Sequence, residues 1–178
     1  MTLSYTEEIV SEYFKHLTTK DGKPKYIVSE HIYYQEKGSS KKVKGWHDID
    51  VLAIGKEEIC IIQTKSYAFF MQTKKDSIGE TVKFFKDAER VVRKRYDVSN
   101  KKIRKIFIAH YGLSKSFKKE LSKKNIESRD LEDIIQDFLR ILKKQIKGYL
   151  IGKEDNIMTR TLIALIEGKF IKDKLFEN

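Results

Sequence analysis

The sequence has almost none of the residues that mark disulfide-rich or zinc-binding proteins. Its 178 residues include one cysteine, Cys60, and one proline, Pro24. A lone cysteine excludes an intrachain disulfide framework and a cysteine-based zinc site within one chain. No run reaches the ~18 apolar residues of a membrane-spanning helix, and the N-terminus lacks the basic and apolar segments of a signal peptide. We therefore expect a soluble, intracellular (cytoplasmic) protein.

Acidic residues are scarce in one stretch, residues 101–124, which hold nine Lys or Arg against one Glu. The net charge of the chain is +11, and its two flanking segments are nearly balanced, with 18 basic and 15 acidic residues before the stretch and ten of each after it. A concentrated basic patch is typical of proteins that bind a phosphate backbone. The alternative is a solvated lysine-rich surface, since Lys supplies 30 of the 37 basic residues, a bias also known from hyperthermophile (thermophile) proteins.

Hydrophobic periodicity predicts helices over 5–17, 77–96, 114–124, 130–146 and 159–170. Runs of β-branched and aromatic residues predict strands over 26–34, 48–54, 59–65 and 103–110. The turn GKEE joins the second and third strands as a hairpin. Residues 66–76 fit neither period, and residues 38–44 predict a polar turn. This order predicts an α/β fold in which helices cover a central sheet.

Polar side chains interrupt both strands of the predicted hairpin. Gln63 and Lys65 share one face of an ideal strand, as do Asp48 and Asp50 on the strand before it. Pairing of the strands brings the carboxylates close to the amide and the amine. A carboxylate, an amide oxygen and a lysine suit Mg²⁺-dependent hydrolysis of a phosphodiester. The alternative is a solvated Asp–Lys salt bridge.

These segments resemble a known family. D50-V-L-A and Q63-T-K65 resemble the motif core of the PD-(D/E)xK nuclease superfamily, in the variant where Gln precedes the lysine as QxK. IIQTKSY and residues 105–135 are similar to Mrr-type restriction endonucleases, and EEIVSEYF resembles the first helix of archaeal Holliday junction resolvases. The resemblance covers about residues 5–140. It implies a restriction-endonuclease-like core with a mixed β-sheet, within a single domain 1–178 whose residues 148–178 form a C-terminal helical extension.

The resemblance also implies the roles of individual residues. Mg²⁺ (or Mn²⁺) is held by Asp50, by the side-chain oxygen of Gln63 and by the backbone carbonyl of Thr64. Lys65 orients or deprotonates the attacking water, and Glu7 brings an acid from the first helix. Glu8 is the alternative to Glu7, and Asp48 is a possible accessory acid. The partner is duplex or branched DNA, and a homodimer is left open. The basic residues expected to contact phosphates are Lys41, Lys42, Lys44, Lys101, Lys102, Arg104, Lys105, Lys115, Lys118 and Lys119.

One departure from the family motif leaves the function open. Gln63 stands where a carboxylate is usual, which removes a negative charge and weakens Mg²⁺ binding unless Asp48 or Glu7 compensates. Three functions therefore remain: a metal-dependent DNA endonuclease, a nuclease-fold nucleic-acid-binding protein that does not cut and acts within a larger complex, and a basic structural protein. Divalent-dependent cleavage that is lost in Asp50→Ala or Lys65→Ala distinguishes the first from the other two.

Overall fold

The computed structural model describes residues 4–35, 45–66, 76–110, 112–148 and 156–171. These ranges contain five helices and five strands. In chain order the elements are α1 (Tyr5–His16), β1 (Tyr26–Gln35), β2 (Trp46–Gly55), β3 (Glu58–Lys65), α2 (Ser77–Arg95), β4 (Lys102–Ala109), α3 (Lys115–Lys123), β5 (Glu127–Asp130), α4 (Leu131–Lys147) and α5 (Ile157–Glu167).

The strands form one mixed sheet in the order β1-β2-β3-β4-β5. β2 is antiparallel to both of its neighbours, β1 and β3, and β4 and β5 continue the sheet in parallel with β3. The predicted hairpin of β2 and β3 is confirmed, with Val51 paired to Ile62 across it. α2 makes the crossover from β3 to β4, as a parallel connection requires. Lys65, the last residue of β3, pairs with Ala109, the last residue of β4.

Helices cover the sheet on both sides, so the predicted α/β class is confirmed. One side, which we call the α1 face, packs Val51, Ala53, Cys60, Ile62, Ile106 and Ile108 against α1 and α4. The other side, the α2 face, packs Leu52, Ile59, Ile61 and Phe107 against α2 and α3. α5 adds Met158, Leu162, Ile163 and Ile166 to the edge of the cluster on the α1 face.

Local sequence signals explain where the helices begin. α1 starts with a capping box in which the hydroxyl of Ser4 accepts from the amide of Glu7, and the carboxylate of Glu7 accepts from the amide of Ser4. The hydroxyl of Ser114 caps α3 by accepting from the amide of Phe117, and serine is a preferred residue at this position. β3 alternates as expected, because Ile61 packs on the α2 face while Cys60 and Ile62 pack on the α1 face.

The element boundaries differ from the predicted ones by at most three residues. α4 starts at Leu131 and α5 at Ile157, and both end near their predicted limits. A further short strand, β5, lies directly before α4. The predicted polar turn at 38–44 and all but Ser66 and Asp76 of the segment 66–76 lie outside the described residues. Among the described helices, not one combines the length and apolar character needed to cross a membrane.

Candidate functional site

A break in strand alternation separates the two halves of β1 and β2. In β1, Tyr26 and Val28 pack on the α1 face, yet Tyr34, which has the same parity, packs on the α2 face. In β2, Ile49 lies on the α2 face and Val51 on the α1 face. The change falls at His31 and Asp50, between the register pairs Glu30–Val51 and Ile32–Ile49.

The cause of this break is the backbone of His31, which has a φ of 51°. A left-handed residue inside a strand redirects the side chains beside it. No residue is inserted, because the register continues unchanged on both sides of His31 and Asp50. Strict alternation along β2 is therefore interrupted between Ile49 and Val51. The two aspartates are still close, because the charge of Asp48 contributes to the pKa of Asp50.

Asp50 is a buried carboxylate fixed to the backbone of β3. It is 7% exposed, and its Oδ2 accepts hydrogen bonds from the amide of Thr64 at 2.6 Å and from the Thr64 hydroxyl at 3.1 Å. Burial raises the pKa of Asp50 to about 6, although the hydrogen bond from Thr64 and the charge of Lys65 act in the opposite direction. Its neighbours Glu7 and Asp48 raise the pKa further.

Two further carboxylates and one imidazole lie beside Asp50. Nδ1 of His31 lies 2.9 Å from the carboxylate of Asp48, and Nε2 lies 3.9 Å from that of Glu7. The hydrogen bond with Asp48 and the charges of Glu7 and Asp48 raise the pKa of His31 against a smaller opposing effect of burial. The ring stacks on Tyr33. The region therefore concentrates negative charge around a histidine that no sequence pattern singles out.

Helix α1 directs Glu7, and not Glu8, toward this region. Glu7 contributes to the pKa of both Asp50 and His31. Glu8 instead accepts a hydrogen bond from the side chain of Asn156 at 3.3 Å, next to α5. The structure thus separates two acids that the sequence left as alternatives.

The side chains of Gln63 and Lys65 line a cavity of about 360 Å³ on the α2 face of the sheet. The cavity is also lined by Tyr34 and His47 from the β1–β2 hairpin and by Glu80 and Asp87 from α2. His47 stacks on Tyr34, with ring centroids 5.8 Å apart. We call the C-terminal ends of β3 and β4, together with this cavity and the carboxylates around Asp50, the site end of the sheet.

The basic residues predicted to bind phosphates fall into two separate groups. Lys101, Lys102, Arg104 and Lys105 lie at the opposite, N-terminal end of β4, which we call the basic end. Lys102 lies seven residues from Ala109, so about 23 Å separate it from the site end along the strand.

Ion pairs take up much of the charge at the basic end. Arg104 contacts Glu58 at 3.4 Å and Glu127 at 2.5 Å, and Lys105 contacts Glu89 at 2.6 Å. Lys101 donates to the carbonyl of Gly55. These residues therefore do not form one continuous surface with Gln63 and Lys65.

The second basic group lies on α3, which begins just past the site end of β4. Lys115 and Lys119 are exposed, and Lys118 pairs with Asp130 at 2.5 Å. Lys41, Lys42 and Lys44 lie outside the described residues.

The site end offers the type of donor atom that Mg²⁺ binds, namely oxygen. Asp50, Gln63 and Thr64 offer a carboxylate, an amide oxygen and a backbone carbonyl, which are the hard oxygen donors that Mg²⁺ prefers. Over the described ranges, no group of three or more His, Cys, Asp or Glu side chains is arranged to hold a metal ion. Mg²⁺ sites often use only one or two carboxylates and complete their shell with water and substrate phosphate. A site with Asp50 as its main carboxylate is consistent with that pattern.

Sequence reasoning missed His31, Glu80 and Asp87 as neighbours of the site. No sequence pattern points to His31, since the left-handed backbone at this histidine follows from the tertiary fold. Glu80 and Asp87 lie seven residues apart on a helix, a spacing that places both on one side and that predicts their shared position above the sheet.

Comparison of the chain with protein-family models, with curated proteins and with solved structures gives no match.

Proposed function

We propose that the protein is a metal-dependent DNA endonuclease of the PD-(D/E)xK type with a restriction-endonuclease-like core. The element order α1-β1-β2-β3-α2-β4, with β1 to β3 antiparallel and β4 parallel to β3, supports this proposal. A mixed sheet between helices is what the resemblance of D50-V-L-A and Q63-T-K65 implies. The reaction is hydrolysis of a phosphodiester bond.

The observation that carries the proposal is the placement of Asp50. Burial of a carboxylate is costly, and here the cost is offset by hydrogen bonds from the backbone and hydroxyl of the residue between Gln63 and Lys65. A pKa raised to about 6 is of the kind often found at functional sites. The hydrogen bonds from Thr64 hold the carboxylate against β3, between Gln63 and Lys65 in the sequence, and this supports a role for Asp50 in the site.

The residues at the site end have different roles in the proposed hydrolysis. Asp50, Gln63 and Thr64 would hold Mg²⁺ or Mn²⁺, which supplies Lewis-acid stabilisation of the phosphate. Lys65 faces the cavity, where its ammonium would stabilise charge on the phosphate and orient the attacking water. Glu7 adds negative charge beside Asp50 and compensates in part for the neutral Gln63.

A second candidate, a nuclease-fold nucleic-acid-binding protein that does not cut, is favoured by a specific observation. Gln63 brings no charge, and within the described residues no group of three or more His, Cys, Asp or Glu side chains is arranged to hold a metal ion. Under this alternative the buried Asp50 serves only to fix β2 against β3.

Cleavage assays separate the two candidates. Labelled linear duplex, single-stranded and four-way-junction DNA are incubated with Mg²⁺, Mn²⁺ or EDTA, and wild-type protein is compared with Lys65→Ala. We expect metal-dependent cleavage that falls by about 100-fold or more in Lys65→Ala, because one charge-stabilising group is worth roughly that factor. The preferred DNA identifies the substrate class.

Lys102→Ala is the matched control, because this exposed lysine begins β4 at the basic end. It should cleave like the wild type. Binding of DNA without cleavage by any of the three proteins, in any metal, would overturn the endonuclease proposal in favour of the binding protein.

A further inference from the structure

A second cluster of reactive side chains lies beside the site end. The Tyr5 hydroxyl hydrogen-bonds to Nδ1 of His110, and the two rings meet edge to face at 5.7 Å. On the other side of the imidazole, Nε2 lies 3.4 Å from the carboxylate of Glu132. The three residues come from α1, from the end of β4 and from α4, so only the tertiary fold assembles them.

Backbone and side-chain contacts connect this cluster directly to Lys65. The amide of His110 donates to the carbonyl of Lys65 at 3.0 Å. The hydroxyl of Thr6, next to Tyr5, lies 3.1 Å from that of Ser66, the residue after Lys65. The start of α1, which carries Tyr5, is therefore held against the end of β3.

The cluster and Lys65 lie on opposite faces of the sheet. Lys65 lines the cavity on the α2 face, whereas Tyr5 belongs to α1, which covers the α1 face. In phosphoryl transfer the attacking and leaving oxygens lie roughly in line on opposite sides of phosphorus. A phosphate bound at the end of β3 with its attacking water beside Lys65 would have its leaving oxygen on the Tyr5 side.

We propose that Tyr5 is the general acid of the hydrolysis, with His110 and Glu132 as positioning residues; this inference rests on the proposed endonuclease function. In the imidazolium form of His110, Nδ1–H donates to the Tyr5 oxygen and Nε2–H donates to Glu132. The phenol proton then points away from His110.

The proposed step conserves atoms and charge. A bond forms between the water oxygen and phosphorus, and the bond from phosphorus to the leaving oxygen breaks. The phenol proton moves to that oxygen, and the Nδ1 proton of His110 replaces it. The exposure of the Tyr5 side chain, 49%, leaves the hydroxyl accessible to DNA.

A substrate with a better leaving group tests this role. Single-turnover cleavage is measured on DNA with oxygen at the scissile position and on DNA with sulfur in place of the bridging oxygen that the wild-type products identify as the leaving atom. Tyr5→Phe should slow cleavage of the oxygen substrate about 100-fold, the usual scale for loss of an acid catalyst. The sulfur substrate should show a defect below about tenfold, because a thiolate leaves without a proton.

Two further variants complete the test. His110→Gln should show the same selective loss, and Tyr96→Phe, at the end of α2 away from the site, should cleave both substrates normally. An equal defect of Tyr5→Phe on both substrates, or no defect, would overturn the general-acid role while the endonuclease function stands. If wild-type protein cleaves neither substrate, the proposed function fails and this inference fails with it.

Discussion

The site end and the basic end of the same sheet handle charge in opposite ways. At the basic end, Arg104 and Lys105 each find carboxylates at ion-pair distance near the surface. At the site end, the carboxylates of Glu7, Asp48 and Asp50 crowd together around His31, and Asp50 is buried. The first arrangement lowers electrostatic energy, and the second raises it.

The pKa values express the same difference. Burial raises the pKa of Asp50 to about 6. Burial also acts on Glu58 at the basic end, but hydrogen bonds from Tyr26 and Lys25 and the charges of Lys25 and Arg104 outweigh it and lower the pKa. The ion-paired basic residues of β4 thus lie in a largely neutralised region, and the functional candidate lies where like charges stand close together. Functional sites commonly carry this kind of electrostatic strain.

The largest expected effect comes from Asp50→Asn. Since burial raises the folded-state pKa from its usual 3.8 to about 6, the folded protein binds more protons than the unfolded chain between these values, and stability falls as pH rises through this window. The asparagine oxygen can still accept from Thr64. We expect cleavage to drop by about 100-fold or more, and the free energy of unfolding at pH 8 to rise by about 3 kcal/mol.

Urea denaturation at pH 4 and pH 8 measures the stability effect, most of which should be lost at pH 4, close to the usual aspartate pKa of 3.8. Glu58→Gln is the matched control from the basic end. Its lowered pKa predicts the opposite sign, a loss of stability at neutral pH that shrinks as pH falls below the usual glutamate value of 4.5. Destabilisation by Asp50→Asn at pH 8 would remove the contrast between the two ends.

The sequence predicts the frame of the site well and its interior poorly. The hairpin, the alternation of β3 and the Ser114 cap follow from local patterns, because apolar spacing and capping chemistry act within a few residues. The change of face at His31 and Asp50 does not, since it depends on a left-handed backbone that only the packed sheet imposes. Tyr5 and His110 are 105 residues apart, so no local pattern relates them.

The second prediction separates the two acids of α1. Glu7→Gln keeps the capping box, because glutamine serves in that motif as well as glutamate does. It removes the negative charge beside Asp50. We expect cleavage to fall about tenfold, the factor that corresponds to an interaction energy of about one pKa unit. Glu8→Gln, whose partner is Asn156, should retain full activity. Equal rates for the two variants would show that the carboxylate of Glu7 plays no part in the reaction.

The third prediction compares lysines at the two ends in DNA binding. Lys115 and Lys119 are exposed on α3 at the site end, and Lys102 is exposed at the basic end. Replacing Lys115 or Lys119 by Gln should reduce the slope of log K against log salt concentration by about one. Lys102→Gln should leave the slope unchanged. Fluorescence anisotropy over a range of salt concentrations measures both, and a reduced slope for Lys102→Gln alone would move the DNA surface to the basic end.

The smallest effect is expected for Lys105→Gln. The variant breaks the 2.6 Å ion pair with Glu89, in which both side chains are about one quarter exposed. Solvent screens such pairs, so the free energy of unfolding should fall by only about 0.5 kcal/mol, and by less at high salt. Cleavage should not change, because Lys105 pairs with Ile61 in the sheet, four residues before Lys65. A loss of cleavage without a loss of stability would mean that the basic end takes part in catalysis, and the division of the sheet into two electrostatic ends would no longer explain where the protein works.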